Sequence, residues 1–219
     1  MNHLKHLKKY KMCEKESIPE GLLEQLLCDD LGDDVYGQLE SDLMNNRMLY
    51  LDDVVDKNLV KIAKAIMYWN EKDKEIPIED RTPIKLYICS PGGDMNYMWM
   101  LVDIMLASKT PIFTIGIGVA NSAAAILFLS ASKRFMFPHA TLMIHQGSAE
   151  LSGDYGKIQS AIKNYSNQVT QMYHFIKKRC AIADESLNQH LSDDWYLDAE
   201  ECKQHGICHQ IIETLDDIK

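Results

Sequence analysis

Residues 84–132 read IKLYICSPGGDMNYMWMLVDIMLASKTPIFTIGIGVANSAAAILFLSAS. IKLYIC (84–89) is a short apolar run with β-branched residues, bounded by a turn, and reads as a strand. SPGGD (90–94) is turn chemistry, and Asp94 is placed to cap the apolar helix that follows, NYMWMLVDIMLAS. PIFTIGIG (111–118) is a second buried strand, and NSAAAILFLSAS (121–132) reads as a tightly packed helix. Two nearly continuous apolar strands joined through a helix form a βαβ unit, which requires a parallel sheet covered on both faces.

The same alternation extends outward. Upstream, RMLYL (47–51) is a short buried strand. Asp56 is expected to cap a helix running to about Asp73, with Leu59, Ile62, Ala63, Ile66 and Met67 on one face. Further upstream, residues 19–30 repeat Leu at helical spacing, and 34–46 read as another helix. Downstream, RFMF and TLMI are short strands, and 154–180 is the longest helical pattern. A shorter helix is expected at 184–191 and a strand at WYL (195–197). Asp198 begins a helix that Gly206 ends, and HQIIE closes as a strand. Strands alternating with helices give an α/β fold class. Two segments follow: 1–46, a basic tail then acidic helices, and 47–219, the α/β domain.

The 219 residues, 46% hydrophobic and 25% charged, suit one globular domain and exclude whole-chain disorder. No apolar run reaches the roughly 20 residues needed to cross a bilayer, and the basic MNHLKHLKKYK is not followed by a signal-peptide core. A cytoplasmic protein without a membrane partner is the expectation. The net charge is −9, yet residues 14–56 alone hold 13 acids against Lys15 and Arg47. The remaining body is near neutral and presents no basic face, so no nucleic-acid partner is expected. The six cysteines lack a CxxC pair and fit free thiols in a reducing setting. Cys202, His205, Cys208 and His209 crowd together, but the paired spacing of a zinc site is missing, so no metal and no cofactor is expected.

Four stretches are candidates for chemistry. In SPGGD two glycines permit close backbone approach, and the peptide N–H groups of such a turn can face a negative oxygen. An ordinary strand-to-helix turn reads the same way. In GVANSAAA, Ser122 stands where a buried strand enters a helix. Its hydroxyl is then either a cap or an acyl-transfer nucleophile beside unpaired N–H groups. The GxSxG elbow of α/β-hydrolases is absent. His145, ending the strand TLMI, is either a general base or a satisfied core histidine. Asp194, entering WYL, is a cap or a carboxylate that orients a histidine.

Taken in order, these motifs resemble the proteolytic subunit of the Clp protease, the ClpP family, over roughly residues 47–215. The SPGG turn, the GxAxS segment, KRFxxP…MIHQ, the long helix and the D-x-x-L-x-A-x-E-x-x-x-x-G block recur together. The resemblance implies a ClpP/crotonase-like spiral of βαβ units with a long projecting helix at about 154–180. It places Ser122 on the nucleophile, His145 on the general base and Asp194 on the orienting carboxylate. Gly93 and Ala123 fall on the oxyanion-hole donors. Residues 147–153, with Gly147, Ser148 and Ala149 foremost, fall on the strand that pairs with an extended substrate. A serine endopeptidase is implied, acting on polypeptide inside a homo-oligomer of heptameric rings, stacked as a tetradecamer.

The chain also departs from the family. Asn121-Ser122-Ala123-Ala124 replaces the usual Ala-Ser-Met-Gly, so the pocket beside the nucleophile should change shape. Tyr87 of the ATPase-docking surface is kept, but Lys85 stands where an aromatic is common and Ala107 where a bulky apolar residue is common. Asp193 stands where an inter-ring Arg is frequent. A Clp-type AAA+ ATPase is therefore weighed as a partner against a divergent or phage-type protease working without one. A weakly active or inactive ring subunit and an acyl-CoA enzyme of the crotonase fold are the other readings.

Overall fold

The computed structural model describes residues 33–190 and 193–218. The basic tail and the helix expected at 19–30 lie outside them. The chain divides into two compact units, one ending at Asn45 and the other beginning at Asn46. In the first, helix α1 (Asp33–Asn45) is the described element, with the Gln38 amide donating to Asp42 one turn on. The second unit holds the sheet and the helices that cover it.

Its elements run β1 (Met48–Leu51), α2 (Leu59–Lys72), β2 (Ile84–Ser90), α3 (Met95–Ala107), β3 (Ile112–Asn121) and α4 (Ala123–Leu129). They continue with β4 (Lys133–Met136), β5 (Thr141–Ile144), α5 (Tyr155–Arg179), α6 (Asp184–His190), β6 (Trp195–Leu197), α7 (Ala199–Gln204) and β7 (Gln210–Ile211). The sheet order is β1-β2-β3-β4-β7, all parallel, and β5 leaves this path to pair with β3 and β6. The family expectation of an α/β spiral holds. β2 and the first half of β3 are buried almost residue by residue, as parallel strands covered on both faces must be.

Three local expectations are corrected. Asp56 does not cap α2: its carboxylate accepts the Asn58 N–H at 2.7 Å in a turn before the helix, which starts at Leu59. The helix expected at 121–132 is only Ala123–Leu129, because β3 stays in its ladder to Asn121 and the strand bonds outcompete the helix there. HQIIE contributes only Gln210–Ile211 to the sheet.

All seven residues of α4 are buried, and Ala123, Ala124 and Ala125 let it press against the sheet. The carbonyls at and just beyond its end are met by two arginines, Arg134 reaching Ala131 O at 3.4 Å. Arg179 donates to Leu129 O and Ala131 O; Arg134, 5% exposed, donates to Ile207 O, Gly206 O and Arg179 O. Burial, reinforced by Arg179, pushes the Arg134 guanidinium down to about 10, so it is still cationic at neutral pH. A cation at a helix C-terminus is favourable to the helix dipole. Beside edge strand β1, Arg47 grips Asp73 through two bonds of 2.6 and 2.7 Å, and the Thr110 hydroxyl donates to the same carboxylate.

Candidate active site

β3 is long enough to serve two neighbours. Phe113–Gly116 pair with Lys133–Met136 of β4, and Val119–Asn121 pair with Thr141–Met143 of β5. The second half of β3 therefore leads β5 away from the main sheet. β5 then pairs antiparallel with β6, matching Leu142 with Leu197, Met143 with Tyr196 and Ile144 with Trp195. The next position in that register sets His145 opposite Asp194. Strand register, rather than sequence proximity, assembles the three residues.

The resulting line is short. His145 Nε2 lies 2.8 Å from Ser122 Oγ, and His145 Nδ1 lies 3.0 Å from Asp194 Oδ1. A carboxylate only accepts, so Nδ1 holds the proton and Nε2 accepts from the Ser122 hydroxyl. His145 is largely covered, whereas the Asp194 side chain is 56% exposed.

Ser122 has φ 54° and ψ −120°, a conformation that costs roughly 1–3 kcal/mol for a residue with a side chain. Its N–H donates to Met143 O at 2.8 Å, and its carbonyl accepts from Ala125 N. The chain thus makes the strained strand-to-helix elbow without the GxSxG motif. Gly92 makes this geometry available. A Cβ there would lie 2.5 Å from Asn121 O and 2.8 Å from Ser122 Cβ, so only glycine lets the SPGG turn close onto the serine. Gly93, φ 149°, is pressed against the backbone of Val55, and the turn is stitched to it by Val55 N donating to Gly92 O and Asp94 N donating to Val55 O. Among the described residues no acceptor takes the N–H of Gly93 or Ala123. Both residues, with Ser122 and His145, line one cleft of about 250 Å³.

Where Ala123 leaves room, methionines fill the wall: Met95 and Met98 from α3, Met143 from β5 and Met172 from α5. These come from three separate elements, so no spacing in the sequence announces them. Gln146, Gly147 and Ser148 also line the cleft, and Ala149 does not. Residues 147–153 form no strand within the chain. Among the described residues no strand lies along them to complete a ladder, and Gly147 turns the backbone with φ 89°.

The crowded cysteines and histidines near the C-terminus do other work. His209 Nδ1 accepts the Arg134 N–H, and burial, then the nearby arginines, push its imidazole below the ordinary value. His205 packs edge-on against Trp195. Burial pushes the Cys208 thiol up to about 11 and the Cys202 thiol higher. Among the described residues no group of three or more His, Cys, Asp or Glu is placed to hold a metal ion. Nor is any described helix long and apolar enough to cross a membrane.

A serine, a histidine and an aspartate in hydrogen-bonded line, at the end of a parallel strand and beside a cleft, are the constellation of a serine hydrolase. Residues 32–215 match the sequence model of the Clp protease family, described as Clp protease. The chain belongs to that family, and it is a serine peptidase of the Clp type. Curated relatives match over most of both chains. The ATP-dependent Clp protease proteolytic subunit 1 of Shouchella clausii is 27% identical over 87% of this chain and 95% of its own. Subunit 2 of Corynebacterium diphtheriae is 29% identical over 84% and 89%, and subunit 1 of Streptomyces coelicolor 27% over 90% and 86%. The family match begins at residue 32 and so takes in α1, upstream of the motifs that begin at 47. Membership sets aside the acyl-CoA reading.

Proposed function

We propose that this chain is an active serine endopeptidase subunit in which Ser122 attacks, His145 transfers the proton and Asp194 holds the imidazole. The observation that supports it is the pair of contacts at His145, 2.8 Å to Ser122 and 3.0 Å to Asp194. As Ser122 Oγ bonds to a peptide carbonyl carbon, its proton passes to Nε2, and Asp194 stabilises the imidazolium. The carbonyl oxygen becomes an oxyanion, met by the N–H groups of Gly93 and Ala123; one such donor is typically worth about 10²–10³ in rate. His145 then returns the proton to the leaving amine, and water hydrolyses the acyl-enzyme by the reverse sequence. The substrate is an extended polypeptide whose main chain lies along Gly147, Ser148 and Ala149, so side-chain preference is loose. The methionine wall favours an apolar residue at the scissile position.

The working particle is a homo-oligomer of heptameric rings, stacked as a tetradecamer, in a cytoplasmic setting. The relatives' names tie them to an ATP-dependent protease; a Clp-type AAA+ ATPase is the corresponding partner, weakened by Lys85 and Ala107. The test is to purify the assembled protein, measure its mass in solution, and follow cleavage of fluorogenic apolar peptides with and without a Clp ATPase. Cleavage abolished by Ser122→Ala is expected. Assembled rings that cleave no peptide would leave the chain an inactive subunit.

A further inference from the structure

The stretch from Gln146 to Ala149 connects the base to the loop before α5, and Gln146, Gly147 and Ser148 form part of the cleft wall, yet it is paired with no described strand. Unpaired backbone is costly to order, roughly 1–2 kcal/mol per residue. Among the described residues one hydrogen bond holds it: the Tyr165 hydroxyl donates to Gln146 O at 3.0 Å. The same hydroxyl stands 2.9 Å from where a Cβ on Gly147 would be, so it packs against the next residue as well. Burial pushes the Tyr165 phenol above its ordinary value, and it remains a donor.

Tyr165 does not act alone on its helix. Gln168, three residues on, donates to Asn96 of α3 at 3.1 Å, and Met172, seven residues on, lines the cleft. Positions i, i+3 and i+7 share one face of a helix. That face of α5 is therefore applied to the cleft, with Tyr165 at the segment that would receive the substrate main chain.

We infer that Tyr165 is a positioning residue, holding Gln146–Ser148 in place so that an extended peptide can pair with it, and this deepens the peptidase reading given above. Its hydroxyl bonds Gln146 O, while the His145 ring bonds Ser122 and Asp194, so its contribution is to binding of extended chains and not to the reactivity of the serine. Because the hydroxyl fixes the carbonyl of Gln146 towards the helix, that carbonyl is withheld from the substrate.

The test is Tyr165→Phe, which removes one oxygen and keeps the ring. In a Ser122→Ala background, binding of a fluorescein-labelled apolar hexapeptide is measured by anisotropy. Tyr165→Phe is expected to weaken it roughly three- to tenfold, the loss of one hydrogen bond. With Ser122 present, KM for the same peptide should rise by a similar factor with kcat little changed. The rate at which a small fluorophosphonate without a peptide chain labels Ser122 should be unchanged. Equal peptide binding in the two proteins would overturn the inference, as would a parallel loss of phosphonate labelling, which would place the effect on the triad. The anisotropy measurement stands whether or not the wild type hydrolyses peptides, so failure of the peptidase reading is seen separately, as absence of labelling in the wild type.

Discussion

Two aspartates, each paired with a basic side chain, divide the molecule. Asp73 is 2% exposed, receives two bonds from Arg47 and a third from Thr110, and ties the end of α2 to the start of β1. Asp194 is 56% exposed and, among the described residues, has one partner, His145. The first pair belongs to the parallel core, where over-determined contacts convert charge into stability. The second stands on the β5–β6 extension, where the carboxylate is left with capacity to respond as the imidazole gains charge. The structural ion pair is enclosed; the pair proposed for catalysis is accessible and, among the described residues, sparsely held.

The largest separation of the two regions is expected from the site itself. Ser122→Ala should lower peptide hydrolysis about 10⁵- to 10⁶-fold and leave the melting temperature unchanged. Asp194→Asn should cost about 10⁴-fold in kcat, because the imidazole then favours the wrong tautomer, again with normal thermal melting. A large loss of stability in Asp194→Asn would erase the difference between the two carboxylates.

Gly92→Ala joins the regions. Its Cβ would meet Asn121 O and Ser122 Cβ, and the residue has φ 94°, so the serine must shift. About 10²-fold loss of activity is expected from misplacement on the ångström scale, accompanied by a lower melting temperature.

Asp73→Ala should do the reverse of Asp194→Asn. It strands Arg47 and is expected to cost about 3 kcal/mol of stability, read by chemical denaturation, while kcat of the folded protein is kept. The smallest effect is in its pH dependence. The hydrogen bond from Arg47 holds the Asp73 carboxyl below its ordinary value of 3.8. Its stabilisation is therefore complete well above pH 3.8 and is lost as pH falls through the lower folded value. The stability gap between wild type and Asp73→Ala should narrow with acidification below about pH 4.

Much of the parallel core was legible from residues 84–132, because buried parallel strands read as apolar runs and Asp94 caps α3 as expected, its carboxylate accepting from Asn96 and Tyr97. Element ends were less legible. The boundary between β3 and α4 is set by pairing with β5, a contact distant in sequence, and alanines fit either state. Ser122, His145 and Asp194 were named from motifs, yet their proximity depends on the β5–β6 register, which no local pattern specifies. The role of Gly92 was masked by its neighbour, and the methionine wall and Tyr165 come from separate elements brought together only by the fold.

The His145 contacts are proposed to make Ser122 the activated hydroxyl among the described residues. The most direct test is mass spectrometry of the assembled wild-type protein after reaction with a fluorophosphonate at neutral pH. One adduct per chain, located on Ser122 and nearly absent in His145→Ala, is the predicted result. No adduct, or one on another residue, would contradict it.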